Sequence, residues 1–264
     1  MRFRFQRKYL CIPYVLFLIL FVVLPILLIV YYAFTDSDGF FSFSAFIDFF
    51  SSTAKINVLI NSLMFSLVNT IICLIIGYPL AYLLANSKFN KNKVLVMLFV
   101  TPMWINFVLR TWATRDVLNW IGISGGNNPY LATLIGLVYN YLPFVVLPLY
   151  TTMLKLDKSQ IEAAVDLGCN RIQVFTKSII PQSIPGVISA SMLVFMPTMS
   201  SYVISDVLSE GKITLFGNSI FLSFSNSQWN VGSFMSLLML IIIGVSMLIT
   251  RNFTEKDEEV EAQW

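Results

Sequence analysis

Six long apolar runs decide most of what this chain can become. They lie near residues 12–34, 58–85, 94–113, 131–153, 184–206 and 231–250. A bilayer core about 30 Å thick takes roughly 20 helical residues to cross. Inside lipid, backbone N–H and C=O groups must find partners within their own segment, so each run is expected as a helix. The fold class that follows is an all-α membrane protein with six transmembrane helices. The third run is the weakest of the six, because Asn106 and Arg110 interrupt it. Composition agrees with lipid as the main solvent: 57% of residues are apolar and 12% charged, against about 45–50% and 25% in soluble domains. Arg2, Arg4, Arg7 and Lys8 precede the first run. That run is long for a signal-peptide core, and no small-residue cleavage pattern comes before Asp36, so it reads as a retained helix.

Basic residues orient the runs. Thirteen of the seventeen Lys and Arg fall in the N-terminal segment, the 86–93 loop, the 154–183 loop and the C-terminus; Lys55, Arg110, Arg115 and Lys212 are the remainder. Cytoplasmic loops carry the excess of Lys and Arg, so both termini are expected in the cytoplasm. Segments 35–57, 114–130 and 207–230 then face outward. In the first of these, "TDSDGFFSFSAFIDFF" is expected to lie as an amphipathic segment at the interface, while "ISGGNNP" in the second is turn chemistry. The tail "EKDEEVEAQW" is expected to be solvated and poorly ordered. Residues 1–57 thus hold the basic segment, first helix and outer loop; 58–250 form a five-helix core; 251–264 are the acidic tail.

Several chemistries are disfavoured. The chain has no His, and Cys11, Cys73 and Cys169 lack metal-ligand spacing, so neither a zinc site nor a disulfide framework is expected. No G-x-x-x-x-G-K-[ST] run occurs, so no nucleotide site of that kind is expected here. No nucleophile–base pair suggests an enzyme, and no nucleic-acid partner is expected.

One polar stretch breaks the pattern: "IEAAVDLGCNRIQVFTKSIIPQSIPG", residues 161–186. Ser159 and Glu162 have capping-box spacing. Gly168 suits the left-handed position that ends a short helix, and Asn170 can cap the next. Ile172, Phe175 and Ile179 then make one apolar face before Pro181, which is expected to stop the helix. Ala163 and Ala164 remove bulk, so another surface can approach closely. The plain alternative is a well-capped surface loop between two membrane helices.

Glu162-Ala163-Ala164, Gly168 and Ile179-Ile180-Pro181 together resemble the EAA signature of importer-type ABC permeases. Ile180 stands for that signature's Leu, and Ile179 lies one place nearer the Pro than its Ile. The flanking "IIGYPLAYLLAN", "TPMWINFVLRTWA", "IGLVYNYLPFVVLPLYTTMLKLDKSQIEAAVDLG" and "SYVISDVLSEGKITLFGNSI" look like the branch that forms the first permease subunit of bacterial spermidine/putrescine importers. The resemblance implies a type I ABC importer permease fold in the bacterial cytoplasmic membrane. It implies a coupling helix at about 158–168, in which Glu162, Ala163, Ala164 and Gly168 engage an ATPase. It also implies a second homologous permease, two cytoplasmic ATPase subunits that hold ATP and Mg, and an extracytoplasmic polyamine-binding protein. No cofactor is expected on this chain itself.

A polycation needs carboxylates, amide acceptors and aromatic faces along its path. The candidates are Asp206 and Tyr202 near the end of the fifth run, Trp104 and Asn106 in the third, and Tyr139 and Tyr141, with Asn140 between them, in the fourth. Each has a plainer reading: Trp and Tyr crowd membrane interfaces anyway, and Asp206 could simply pair with Arg110. Arg110 would repel a cation, so it is expected to pair with Asp206 or Asp116 or to snorkel outward. Two alternatives stand beside the polyamine reading. One is an ABC permease for another small solute; the other is a secondary transporter or channel, which would commonly show inverted repeats or broken Gly-rich helices.

Overall fold

A computed structural model gives the architecture of residues 11–36, 39–86 and 94–261, with Cys11 and residues 251–261 by backbone alone. Arg2, Arg4, Arg7, Lys8, Lys88, Lys91 and Lys93, on which the expected orientation largely rests, lie outside the described residues. The elements in order are α1 (Ile12–Ala33), α2 (Ser44–Ser51), α3 (Thr53–Ala85), α4 (Val94–Trp104), α5 (Phe107–Trp120) and α6 (Pro129–Met153). They continue as α7 (Lys158–Asp166), α8 (Arg171–Met199), α9 (Val203–Ser209), α10 (Phe216–Ser225) and α11 (Trp229–Glu261). Among the described residues the one extended pairing is an isolated bridge between Thr35 and Phe41.

Five helices are long and apolar enough to cross a membrane: α1, α3, α6, α8 and the Trp229–Thr250 part of α11. The expected third span is instead a broken pair, α4 and α5, bent by 97°. Asn106 causes the break. It leaves helical geometry, and its side chain accepts a hydrogen bond from the Val108 N–H at 2.8 Å, capping α5. The fifth span also differs from the expected 184–206. It begins at Arg171 and ends at Met199, and Asp206 belongs to the separate short helix α9. The acidic tail, expected to be poorly ordered, has a helical backbone as far as Glu261.

The chain divides into two compact units, residues 1–56 with 219–242, and residues 57–218 with 243–264. In the first unit Phe49 is fully buried, its ring 5.7 Å from that of Phe234. The Asn230 amide donates to the Thr35 carbonyl, and Lys55 pairs with Asp48. No side chain from Ile12 to Tyr32 is buried. A helix apolar on every side and covered by none of its own chain needs lipid or another subunit around it.

The second unit is built on α3, α6 and α8. Cys73, Ala81, Val145, Val146, Leu149, Ala190 and Val194 are fully buried where these helices meet. Small residues allow the close approach, as is common between membrane helices. A Cβ at Gly77 would stand 2.7 Å from Val145 Cγ1, and one at Gly186 would overlap Thr152. Buried polar contacts join the same helices: Asn69 Nδ2 donates to Thr198 Oγ1 at 2.8 Å, Tyr78 and Ser183 hydroxyls meet at 2.7 Å, and the Tyr141 hydroxyl donates to the Pro197 carbonyl at 3.1 Å. A second cluster gathers Phe65, Leu137, Ile204, Leu208 and Leu215, which fixes α9 against α6.

Candidate functional site

Two features stand out from the helical framework: the helix–turn–helix α7–α8 and the cavity at the α4–α5 break.

Helix α7 starts two residues before the expected Ser159–Glu162 box would place it. Asp157 is the N-cap; its carboxylate accepts from the Ser159 N–H at 2.9 Å and from the Ser159 hydroxyl at 2.7 Å. A carboxylate suits a helix N-terminus better than a hydroxyl, because it also meets the positive end of the helix dipole. Chiefly through the Ser159 hydroxyl, and then its N–H, the Asp157 carboxyl is held below its ordinary range. The helix ends as expected, at Gly168 with φ +81°. The Gly168 N–H donates to the Val165 carbonyl at 2.9 Å and the Cys169 N–H to the Ala164 carbonyl at 3.1 Å, the paired bonds of a Schellman turn. Asn170 caps α8, and here the reciprocal box exists: Asn170 and Gln173 each accept from the other's backbone.

Beyond that cap the structure corrects two expectations. Pro181 does not stop the helix. A π-turn at Phe175–Ile179 resets the hydrogen-bond register, so Pro181 falls in the first turn of the following α-helical stretch, where no N–H is required. Nor do Ile172, Phe175 and Ile179 share one buried face. Phe175 meets Tyr78 and Tyr82 edge-on at 5.7 and 5.5 Å, and Ile179 is buried, but Ile172 is 74% exposed. The Asp157 N–H donates to Gln182 Oε1 at 3.0 Å, tying the start of α7 to α8. What remains free is a knuckle of Glu162, Ala163, Val165, Leu167 and Ile172, all exposed, with Leu167 at 85%. Ala164, on the same helix, is half-buried.

The α4–α5 break opens a cavity of about 460 Å³. Trp104, Ile105, Asn106 and Phe107 line it from the break, Arg110 from α5, Asn140, Tyr141 and Phe144 from α6, and Ile204 from α9. Trp104 is 88% exposed at this break. The sequence candidates Trp104, Asn106 and Tyr141 therefore come together. Tyr139 joins them indirectly, its ring 5.9 Å from the Arg110 guanidinium. Asp206 and Tyr202 are exposed and do not line this space. Phe144 and Ile204 escaped sequence reasoning because an apolar residue in a membrane run carries no signal of its own.

Arg110 departs from expectation. It neither snorkels outward nor pairs with Asp206 or Asp116. It is only 8% exposed, and its Nη1 donates to the Pro102 carbonyl at 3.2 Å. Among the described residues the ion pairs are Lys55 with Asp48 and Arg115 with Glu210, the latter at 3.7 Å. Arg110 Nε and Asn140 Oδ1 are buried without a hydrogen-bond partner. Chemically the cavity offers aromatic faces, amide groups and one fixed positive charge.

With this geometry established, comparison with known proteins places the chain. Residues 74–256 match the family described as binding-protein-dependent transport system inner membrane component. The chain belongs to that family. It is 35% identical over 253 residues to the spermidine/putrescine transport system permease protein PotB of Escherichia coli (strain K12), across 88% of this chain and 92% of that one. Among solved structures it is similar to a bacterial ABC transporter involved in the import of the acidic polysaccharide alginate, with a TM-score of 0.75 at 14% identity over 94% of both chains. A bacterial alginate ABC transporter in complex with an alginate pentasaccharide-bound periplasmic protein gives 0.73 at 15% over the same shares. The protein is thus a multi-pass membrane protein with the fold of an ABC importer permease.

Proposed function

We propose that this chain is a permease subunit of an ATP-driven importer that moves polyamines, spermidine or putrescine, across the bacterial cytoplasmic membrane. The observation that carries the reading is the 35% identity to a spermidine/putrescine permease, sustained over nearly the whole of both chains. In this reading the knuckle at Glu162, Ala163, Ala164 and Gly168 lies in the cytoplasm and docks on a separate ATPase, which holds ATP and Mg. Its build supports that role: α7 is capped at both ends, tied to α8 by Asp157–Gln182, and presents small and apolar side chains beside the Glu162 and Asp166 carboxylates. A stiff element of this kind transmits displacement to α8 rather than absorbing it. The chain itself hydrolyses nothing and binds no cofactor.

The rest of the complex comprises a second homologous permease, two ATPase subunits and an extracytoplasmic protein that delivers the polyamine. Trp104, Asn106, Tyr139 and Tyr141 stand beside the path where the two permease chains meet, and the aromatic faces that the second chain leaves uncovered hold ammonium groups and methylenes. Asp206 and Tyr202, exposed near the start of α9, meet the cation before or after that stretch. The test is uptake of radiolabelled spermidine by a polyamine-transport-deficient bacterium expressing the whole complex. Excess unlabelled spermidine or putrescine is expected to abolish uptake, and unrelated anions, iron or thiamine to leave it unchanged. A complex that transports one of those solutes and no polyamine overturns the reading.

A further inference from the structure

We infer that the Arg110 cavity is an intersubunit socket for a carboxylate carried on a membrane helix of the second permease chain. The inference rests on the proposed function for two steps, the presence of a second permease chain and the exclusion of cargo as the countercharge. A guanidinium has five N–H donors and keeps its charge in a protein. Here one contact, Nη1 to the Pro102 carbonyl, is made within the chain, and Nε has no partner. The Tyr139 ring gives a second, weaker contact at 5.9 Å. No Asp or Glu of the described residues pairs with Arg110. Arg110 is only 8% exposed, and a buried charge is costly unless an opposite charge or water meets it. A polycationic cargo cannot supply that opposite charge and no described carboxylate of this chain does, which points to a group brought by another chain.

The surroundings say what kind of group brings it. The cavity opens at a helix break whose side chains Trp104, Ile105 and Phe107 are exposed and apolar. A water-filled vestibule would be poorly served by three such residues, whereas a neighbouring membrane helix would cover them. An aromatic and aliphatic rim around one unsatisfied Arg is how a central interface contact is built. Asn140 completes the socket. Its Nδ2 donates to the Gly136 carbonyl at 2.9 Å, which leaves Oδ1 as a buried acceptor with no partner. That oxygen accepts from a hydroxyl or amide donor beside the incoming carboxylate. The occupant thus carries a negative charge and a nearby donor on an otherwise apolar helix. Once the socket is filled, the cavity no longer presents a net positive charge to the passing cation.

The experiment reads assembly rather than transport, so its result does not depend on which solute is carried. This chain, tagged, is co-expressed with the second permease and the ATPase from the same genome, without added polyamine, and purified in mild detergent. R110Q is expected to weaken recovery of the second permease on the order of 100-fold, the effect of removing one member of a buried ion pair, while R110K retains part of it. R110E is then screened against Asp→Arg and Glu→Arg changes through the membrane helices of the second permease; one position is expected to restore the complex. Unchanged recovery with R110Q overturns the socket. So does rescue of R110E by D206R within this chain, which would assign the countercharge to Asp206. A complex of the unaltered chain that assembles only with anionic lipid, with no position in the second permease restoring R110E, would assign the countercharge to a headgroup and also overturns the proposal.

Discussion

Gly168 and Asp157 shape opposite ends of α7 by different physics. At Gly168 the constraint is backbone alone: φ is +81°, and a Cβ there would meet nothing within 4 Å. A side chain has room, but an L-residue in this region costs about 1–2 kcal/mol, more for a β-branched one. Gly168→Val is therefore expected to cut uptake several-fold while membrane levels on an immunoblot stay unchanged. Gly168→Asn should recover most of the loss, because Asn tolerates the left-handed region; normal uptake by the Val variant would remove this turn from the coupling element. At Asp157 the constraint is an acceptor. Asp157→Ala should lower uptake, whereas Asn or Ser at the same place should preserve it, since both cap helices well. The carboxyl is held below its ordinary value of 3.8, so its contribution is present above that value and fades only as pH falls through the lowered one. The ratio of Ala-variant to unaltered uptake should accordingly stay flat from about pH 8 to about pH 5; a slope in that window would mean that another group controls the cap.

The close approach of α6 and α9 is set at Gly136, where a Cβ would overlap Leu208 Cδ1. Overpacking at such a contact costs about 1–3 kcal/mol. Gly136→Val is expected to lower the melting temperature of the detergent-purified complex by several degrees. Gly244→Val, where nothing lies within 4 Å, should leave it nearly unchanged; equal shifts would mean that helix propensity rather than the Leu208 contact is being measured. The helices themselves were legible in the sequence because lipid demands long uninterrupted apolar runs, and Asn106 announced the α4–α5 break by standing inside one. Their ends were less legible. Helix α8 runs through Pro181 because a π-turn absorbs the missing N–H, a register change that residue types do not reveal. It stops at Met199 although "SSYVIS" could continue it. That end is fixed by a distant contact, the backbone of Ser200 against Gly217, where a Cβ would clash with the Ser200 carbonyl. The same limit holds for the site. Trp104, Asn106 and Tyr141 could be chosen by chemistry, but that Asp206 would stand apart from them follows from where α9 begins.

At the scale of the whole molecule, the decisive fact is how much apolar surface the chain leaves uncovered away from its long spans. Leu167, 85% exposed, lies in the turn after the short helix α7 and outside every long span, and Ile172, 74% exposed, stands across the Gly168 turn in the first turn of α8. Fully burying a Leu side chain is worth about 1.5–3 kcal/mol, so one such contact accounts for a factor of roughly ten to a hundred in affinity. On the proposed function, a groove on the ATPase that receives this knuckle would recover that energy, and a basic residue on its rim would pair with Glu162. Leu167→Glu should weaken ATPase binding on the order of tenfold or more and abolish uptake, with the permease still inserted. Hydrolysis by the ATPase should persist but no longer respond to the loaded binding protein. The chain purified alone should turn over no ATP under the same conditions. If Leu167→Glu spares both ATPase binding and uptake, the force must enter through another surface, and the rigid path from α7 through Gln182 into α8 would be structural only.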